Sequence, residues 1–191
     1  MQRTCETIIQ NAKWRDIVMR GLHSADETVF HDAQRAAGVL EIDTWEFHWN
    51  RLQNSPLESS RWFHVMTACN SEQIDEVLSL AERTLPLDEV ASGPALEHGL
   101  GPMWQPHSCL DYILQQLHQF PGHGLRFIEA GIRSPVIRNR NMALAAASAW
   151  NWDALPKSLT LLLGQALQEE PDPEVRQRIE KVLAGEPLTS E

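Results

Sequence analysis

Apolar residues recur every three or four positions along nearly all of this 191-residue chain. Such spacing gives a helix one buried face, whereas a half-buried strand needs apolar residues at every second position. No segment alternates in the second way with an enrichment in β-branched residues. We therefore predict an all-α protein without a sheet. The clearest helical stripes begin at Val29, Ile74, Leu110 and Val175.

Residues that start and stop helices punctuate these stripes. Ser24 and Glu27 stand in capping-box order before the Val29 stripe, and Ser108 precedes the Leu110 stripe. A cap residue followed at once by a proline marks a first helical turn. The signals predict about ten helices joined by short turns, the first over roughly residues 4–21. The cap-then-proline pairs are Ser55–Pro56, Ser134–Pro135 and Asp172–Pro173, and the stop signals are Pro86, Pro121, Pro171 and Gly185.

The C-terminal part repeats one type of helix opening. S-P-V-I-R at Ser134 and D-P-E-V-R at Asp172 each contain a cap, a proline and a final arginine, and they start 38 residues apart. Small residues within 143–148 allow close helix approach. Residues 134–185 resemble the HEAT-repeat and armadillo-like solenoids. The resemblance implies a right-handed stack of antiparallel helical hairpins that binds another macromolecule on its inner face. A non-repeat helical bundle is the alternative.

The chain length fits a single α-helical domain over residues 1–191. Composition suggests a subdivision into an acidic helical half at 1–90, an irregular loop at 91–107 and a HEAT-like half at 108–191. The loop holds three glycines and three prolines and has no amphipathic period. Long loops in compact helical proteins are uncommon and often functional.

Six residues of this loop and of the helix that follows it are candidates for binding. We expect them to form a pocket or a loop that grips a partner. The alternative is a plain connector between two helical halves, with Trp104 packed as a plug. The candidates are Glu97, His98, Trp104, His107, Asp111 and His118.

The formal net charge of -10 is unevenly distributed. Residues 21–100 hold 14 acidic residues against four arginines, whereas residues 101–150 hold two acidic residues against four arginines. The overall charge disfavours generic duplex-DNA binding and adhesion to an anionic membrane, and it suits a basic partner. The second set of arginines forms either a basic patch for an acidic partner or phosphate, or internal bridges between helices. These arginines are Arg126, Arg133, Arg138 and Arg140.

Recognisable catalytic and metal-binding patterns are missing from the sequence. The histidines from His98 to His123 lack the short spacings of a zinc site, and no G-x-S-x-G elbow is present. We therefore expect no metal and no cofactor. Cys109 lies near His107 in sequence, but packing is the expected role of a cysteine beside Leu110 at a helix start.

The compartment is predicted from three cysteines and from hydropathy. Cys5, Cys69 and Cys109 are odd in number and far apart, which favours a reducing compartment over a disulfide framework. No apolar stretch of about 18 residues is present, so no transmembrane helix is expected. We therefore expect a cytoplasmic protein.

Three functional hypotheses remain open. The first is a non-catalytic protein-binding helical-repeat module, in one version an immunity or inhibitor protein that covers a basic toxin or nuclease. The second is an enzyme or small-molecule binder that uses residues 91–123. The third is nucleic-acid binding through Arg126–Arg140.

Overall fold

The computed structural model describes residues 12–151 and 155–188, and every regular element in them is helical. Eleven α-helices and one 3₁₀ turn are present in these residues, which confirms the all-α prediction. Residues 4–11 of the first predicted helix, and Cys5, lie outside the described residues. The described residues form two compact units, and the boundary between the units lies between Asn54 and Ser55.

The first unit contains α1 (Ala12–Leu22), α2 (Glu27–Val39) and α3 (Trp45–Asn54). Helices α1 and α2 pack so closely that a Cβ on Gly21 would lie 2.6 Å from the Cβ of Ala33. Their shared face is built from apolar residues of both helices. The buried residues of this core are Val18, Leu22, Phe30, Ala33, Ala37 and Leu40.

The second unit contains the remaining eight helices of the described residues. They pack as hairpins, in which α7 contacts α8, α8 contacts α9 and α10 contacts α11. Further contacts join α4 to α7 and α9 to both α7 and α11, which is the pattern of a stack of helical hairpins. The elements are α4 (Ser59–Ala68), α5 (Ile74–Thr84), α6 (Leu87–Val90), the 3₁₀ turn (Pro102–Trp104), α7 (Gln105–Leu117), α8 (Leu125–Ile132), α9 (Ile137–Ser148), α10 (Lys157–Glu169) and α11 (Pro173–Leu183).

One of the three cap-then-proline starts is confirmed and two are wrong. Asp172 caps α11, and its carboxylate accepts the backbone N–H groups of Glu174 and Val175. The pair at Ser134 precedes an extended Val136, and α9 begins only at Ile137. The pair at Ser55 forms a turn before α4, which begins at Ser59.

Two further helix starts differ from the predictions. Asp26, rather than Ser24, caps α2 and accepts the N–H groups of Thr28 and Val29. The hydroxyl of Ser24 instead accepts the N–H of Asp26, so it supports the cap from outside. The helix predicted to start after Ser108 begins at Gln105, because a proline in the first turn does not interrupt the helix.

Candidate functional site

The loop predicted at 91–107 is irregular only as far as Gly101, and it is anchored to the turn between α8 and α9. The N–H of Gly93 donates to the carbonyl of Arg133 at 2.8 Å. Glu97 and Val136 then form an isolated parallel bridge, in which the N–H of Glu97 reaches Pro135 O at 3.2 Å and the N–H of Ile137 reaches Glu97 O at 3.0 Å. The loop is therefore fixed at two points to the turn between α8 and α9.

Gly99 allows the loop to pass directly over Val136. Its φ of 69° lies in the left-handed region that favours glycine. A Cβ at this position would also lie 2.9 Å from Cγ1 of Val136. Glycine is therefore required here both for the backbone conformation and for the close approach.

Hydrogen bonds from buried polar side chains tie this turn to the start of α7. The hydroxyl of Ser134 accepts the N–H of Val136 and donates to Oδ1 of Asn139 at 3.0 Å. Nδ2 of Asn139 donates in turn to the backbone carbonyl of His107 at 2.9 Å. Both Ser134 and Asn139 are buried, so these bonds fix α9 against α7 out of reach of competing water.

A cavity of about 140 Å³ lies between the loop, the start of α7 and the start of α9. Its walls combine a few apolar groups with several polar ones. The residues that matter most for its chemistry are His98, His107, Asp111, Arg138 and Asn139.

Asp111 is the most deeply placed charged group of this cavity, with 8% of its side chain exposed. Its Oδ2 lies 2.9 Å from Nε of Arg138, whereas its Oδ1 is buried without a hydrogen-bond partner in the described residues. Burial raises the pKa of Asp111 to about 6, and the guanidinium of Arg138 opposes the shift. An unpartnered buried acceptor costs about 1–3 kcal/mol, so this oxygen favours an incoming donor.

His107 lies one helical turn before Asp111 and therefore faces the same side of α7. Both of its ring nitrogens are buried without a hydrogen-bond partner in the described part of the chain. Its ring meets that of Trp104 edge to face, with centroids 4.8 Å apart. Burial lowers the pKa of His107, opposed by the nearby backbone of Val90. Burial therefore favours the neutral ring, which offers one donor and one acceptor.

The structure brings four of the predicted site residues together in this cavity, namely His98, His107, Asp111 and Arg138. Trp104 lies beside them through its contact with His107. The side chain of Glu97 is exposed and takes no part in the backbone bridge.

The other predicted residues lie elsewhere. His118 is exposed, and its Nδ1 lies 2.9 Å from the carbonyl of Gln115. Arg126 and Arg133 are exposed, and Arg126 borders a separate cleft with the acidic Asp88 and Glu89. Arg140 is buried and paired with Glu170, so it belongs to the internal bridges and not to a surface patch.

Sequence reasoning missed the residues that build the cavity from behind, Ser134, Val136 and Asn139. The one available signal was Asn139 itself. The side-chain amide of an asparagine competes with the helix backbone for hydrogen bonds. Near a helix start, this amide therefore either bonds to a nearby backbone group or points into the protein, where it bonds to another buried group.

Cys109 does not have the surroundings of a thiol nucleophile, and the described residues contain no cluster of metal ligands. The thiol of Cys109 is buried, lies 3.6 Å from the carbonyl of Leu57, and has a pKa raised to about 12, chiefly by burial. This thiol stays protonated and packs within the unit. No group of three or more His, Cys, Asp or Glu residues in the described ranges is arranged to hold a metal ion.

Comparison of the chain with protein-family models, with curated proteins and with solved structures finds no match. Among residues 12–151 and 155–188, no helix has the length and apolar character needed to cross a membrane.

Proposed function

We propose that the protein is a non-catalytic protein-binding module, and that the loop anchored at Gly93 and Glu97 is the centre of its contact surface. The observation that carries this proposal is the exposure of three large apolar side chains on the loop and the adjoining 3₁₀ turn. Leu96, Leu100 and Met103 are 59%, 81% and 80% exposed. Exposed apolar groups that cluster in one place mark interaction surfaces more often than isolated ones do.

The anchoring of the loop supports a role in binding. A loop held by backbone hydrogen bonds to Arg133, Pro135 and Ile137 presents its side chains in a defined arrangement. Little conformational entropy is then lost when a partner covers it, which favours affinity.

Charge supports a basic partner. Between Ser55 and Leu100, the second unit carries eight acidic residues and two arginines. A basic protein would be attracted to such a surface and would associate faster at low salt. An immunity or inhibitor protein that covers a basic toxin or nuclease is the most specific version of this proposal.

We also propose that residues 134–185 are HEAT-like repeats and that the protein works in the cytoplasm. The cap of Asp172 and the packing of α9 against α11 support the first point. The second is supported by the free thiols of Cys69 and Cys109, which suit a reducing compartment.

The test is affinity capture from the cells that naturally make the protein, with two variants. A Leu100→Ser, Met103→Ser double variant removes the apolar centre of the surface. Leu161→Ser changes a leucine on α10 that is 70% exposed and serves as the matched control. We expect one basic protein to be retained by the wild type and by Leu161→Ser and to be lost with the double variant.

Two outcomes contradict the proposal. One is that no protein is retained by the wild type at either low or high salt. The other is that the double variant retains the same partner as well as the control does. Because all the substituted side chains are exposed, we expect both variants to fold, and a thermal unfolding curve checks this.

A further inference from the structure

The cavity beside α7 is lined by side chains whose buried polar atoms have unused hydrogen-bonding capacity. Oδ1 of Asp111 is buried without a partner in the described ranges. The ring nitrogens of His107 are also buried there, with only a weak approach to the backbone of Val90, and both residues line the cavity. Asn139 cannot relieve them, because its amide is already committed to Ser134 and to the backbone of His107. The two side chains that carry these unmatched atoms therefore line a space that a ligand can enter.

The two ends of the cavity differ in charge and in depth. At the inner end, the free oxygen of Asp111 accepts a hydrogen bond and carries negative charge when ionised. At the outer end, Arg138 is 57% exposed, and its Nε is engaged by Asp111. Its two terminal amino groups are thus left to face an anionic group, in the geometry that suits a carboxylate.

The volume of the cavity sets the size of the group that it can enclose. A cavity of about 150 Å³ holds a molecule the size of benzene, and this one measures about 140 Å³. A ligand of roughly six to eight non-hydrogen atoms would fill it.

We infer that this cavity binds a small zwitterion, whose amine donates to Asp111 and whose carboxylate is held by Arg138. The neutral ring of His107 provides an acceptor for a second N–H of the amine. His98 is exposed and lines the edge of the cavity. This inference does not rest on the proposed protein partner, because it concerns the polar groups of the cavity. Leu100 belongs to both places, since it lines the cavity and is one of the exposed apolar side chains of the loop.

The experiment is an NMR titration of the whole ¹⁵N-labelled protein with L-alanine and L-serine, which have six and seven non-hydrogen atoms by their chemical formulae (within the roughly six to eight estimated above). Lactate lacks the amine and propylamine lacks the carboxylate, so these two molecules test each end separately. We expect saturable shifts of the amides near His107, Asp111 and Asn139, with a Kd below about 1 mM for at least one zwitterion. The two controls should bind at least about tenfold more weakly.

Variants connect the binding to the named groups. Asp111→Asn keeps the shape of the side chain and removes its charge, and Arg138→Gln removes the outer cation from a largely exposed position. We expect each to weaken binding by at least about tenfold. Arg133→Gln, a change at an exposed arginine that does not line the cavity, should leave the affinity unchanged.

The inference is overturned if neither zwitterion gives a saturable shift up to about 10 mM. It is also overturned if lactate or propylamine binds as tightly as alanine, or if Arg138→Gln binds like the wild type. Should Asp111→Asn fail to fold, the surface variant Arg138→Gln decides the result alone. The titration uses purified protein, so its failure is distinct from a failure to capture a protein partner.

Discussion

Arg140 and Glu170 form a two-pronged ion pair inside the second unit. Nε of Arg140 lies 2.8 Å from Oε2 of Glu170, and Nη2 lies 2.8 Å from Oε1, with 1% of each side chain exposed. Nη1 of the same arginine donates to the carbonyls of Ser134 and Pro135 at 2.8 and 3.0 Å. One side chain thus joins the end of α10 to the turn that carries the cavity.

Removing Glu170 should therefore destabilise the protein strongly. We expect Glu170→Ala to lower the free energy of unfolding by about 3–5 kcal/mol, because it leaves the guanidinium of Arg140 buried without its counter-charge. Urea denaturation measures the change. The neighbouring Glu169 is exposed, and Glu169→Ala should change stability by no more than about 0.5 kcal/mol. Similar losses for both variants would contradict the role assigned to the pair.

Two helical glycines should respond in opposite directions to the same substitution. A Cβ on Gly131 would lie 2.7 Å from Cδ1 of Leu114 and 2.8 Å from the Cβ of Ala143, whereas a Cβ on Gly164 would meet nothing within 4 Å. We expect Gly131→Ala to cost about 1–3 kcal/mol through overpacking. Gly164→Ala should stabilise by about 0.5–1 kcal/mol, since alanine is the better helix former. Thermal or urea unfolding measures the change in stability of each variant. A stabilising Gly131→Ala would show that α8 is not closely packed.

The cap of α11 can be tested at Asp172. Its Oδ1 accepts the N–H groups of Glu174 and Val175 at 2.9 and 3.1 Å. Replacement by alanine leaves these donors without a protein partner, and we expect a loss of about 1 kcal/mol in the free energy of unfolding. Gln177→Ala, at an exposed position of the same helix, is the control and should stay within about 0.5 kcal/mol of the wild type. Equal effects at the two positions would rule out the cap.

Asp111 should give the stability a pH dependence. Its pKa is about 6 in the folded protein against an ordinary value of 3.8, so between these values the folded state holds a proton that the unfolded chain has released. The free energy of unfolding therefore falls as the pH rises from about 4 to about 6. The fall amounts to at most about 3 kcal/mol, at about 1.4 kcal/mol per pKa unit.

Comparison of the wild type with Asp111→Asn isolates this contribution. The lowered pKa of His107 acts in the opposite sense, because stability then rises with pH as the unfolded imidazole loses its proton. The contribution of His107 is common to both proteins and cancels to first order in their difference. Urea denaturation between about pH 4 and pH 7 gives that difference. A difference that stays constant over this range would refute the assignment.

The helices were predictable because periodicity reports a buried face directly. The stripes at Val29, Ile74, Leu110 and Val175 all lie on helices of the structure. The start at Asp172 was equally predictable, because its cap and its proline act within a single helical turn.

The start at Ser134 was not predictable from local signals. Val136 is extended and pairs with Glu97, which is distant in sequence. Local residue preferences are overridden where the backbone finds a tertiary partner. The wrongly predicted helix start therefore lies where the loop contacts the turn between α8 and α9.

The candidate site was partly predictable for a similar reason. His107 and Asp111 lie four residues apart on one helix, so their common face follows from helix geometry. Arg138 and Asn139 reach the same space only through the packing of α9 on α7, which no local pattern encodes. Arg138 and Arg140 look equivalent in sequence, yet one is exposed and the other is buried on Glu170.

The two anchor points of the loop also divide it into parts with different freedom to vary. Between Gly93 and Glu97 the number of residues is fixed, because both ends are hydrogen-bonded to the turn at 133–137 and one inserted residue would break that register. Beyond the second anchor, the side chains of Leu100 and Met103 are largely exposed, so the packing of the helices does not depend on them. Under the proposed function, substitutions at residues 100–103 would therefore change which partner is bound, while the scaffold that holds these residues stays the same.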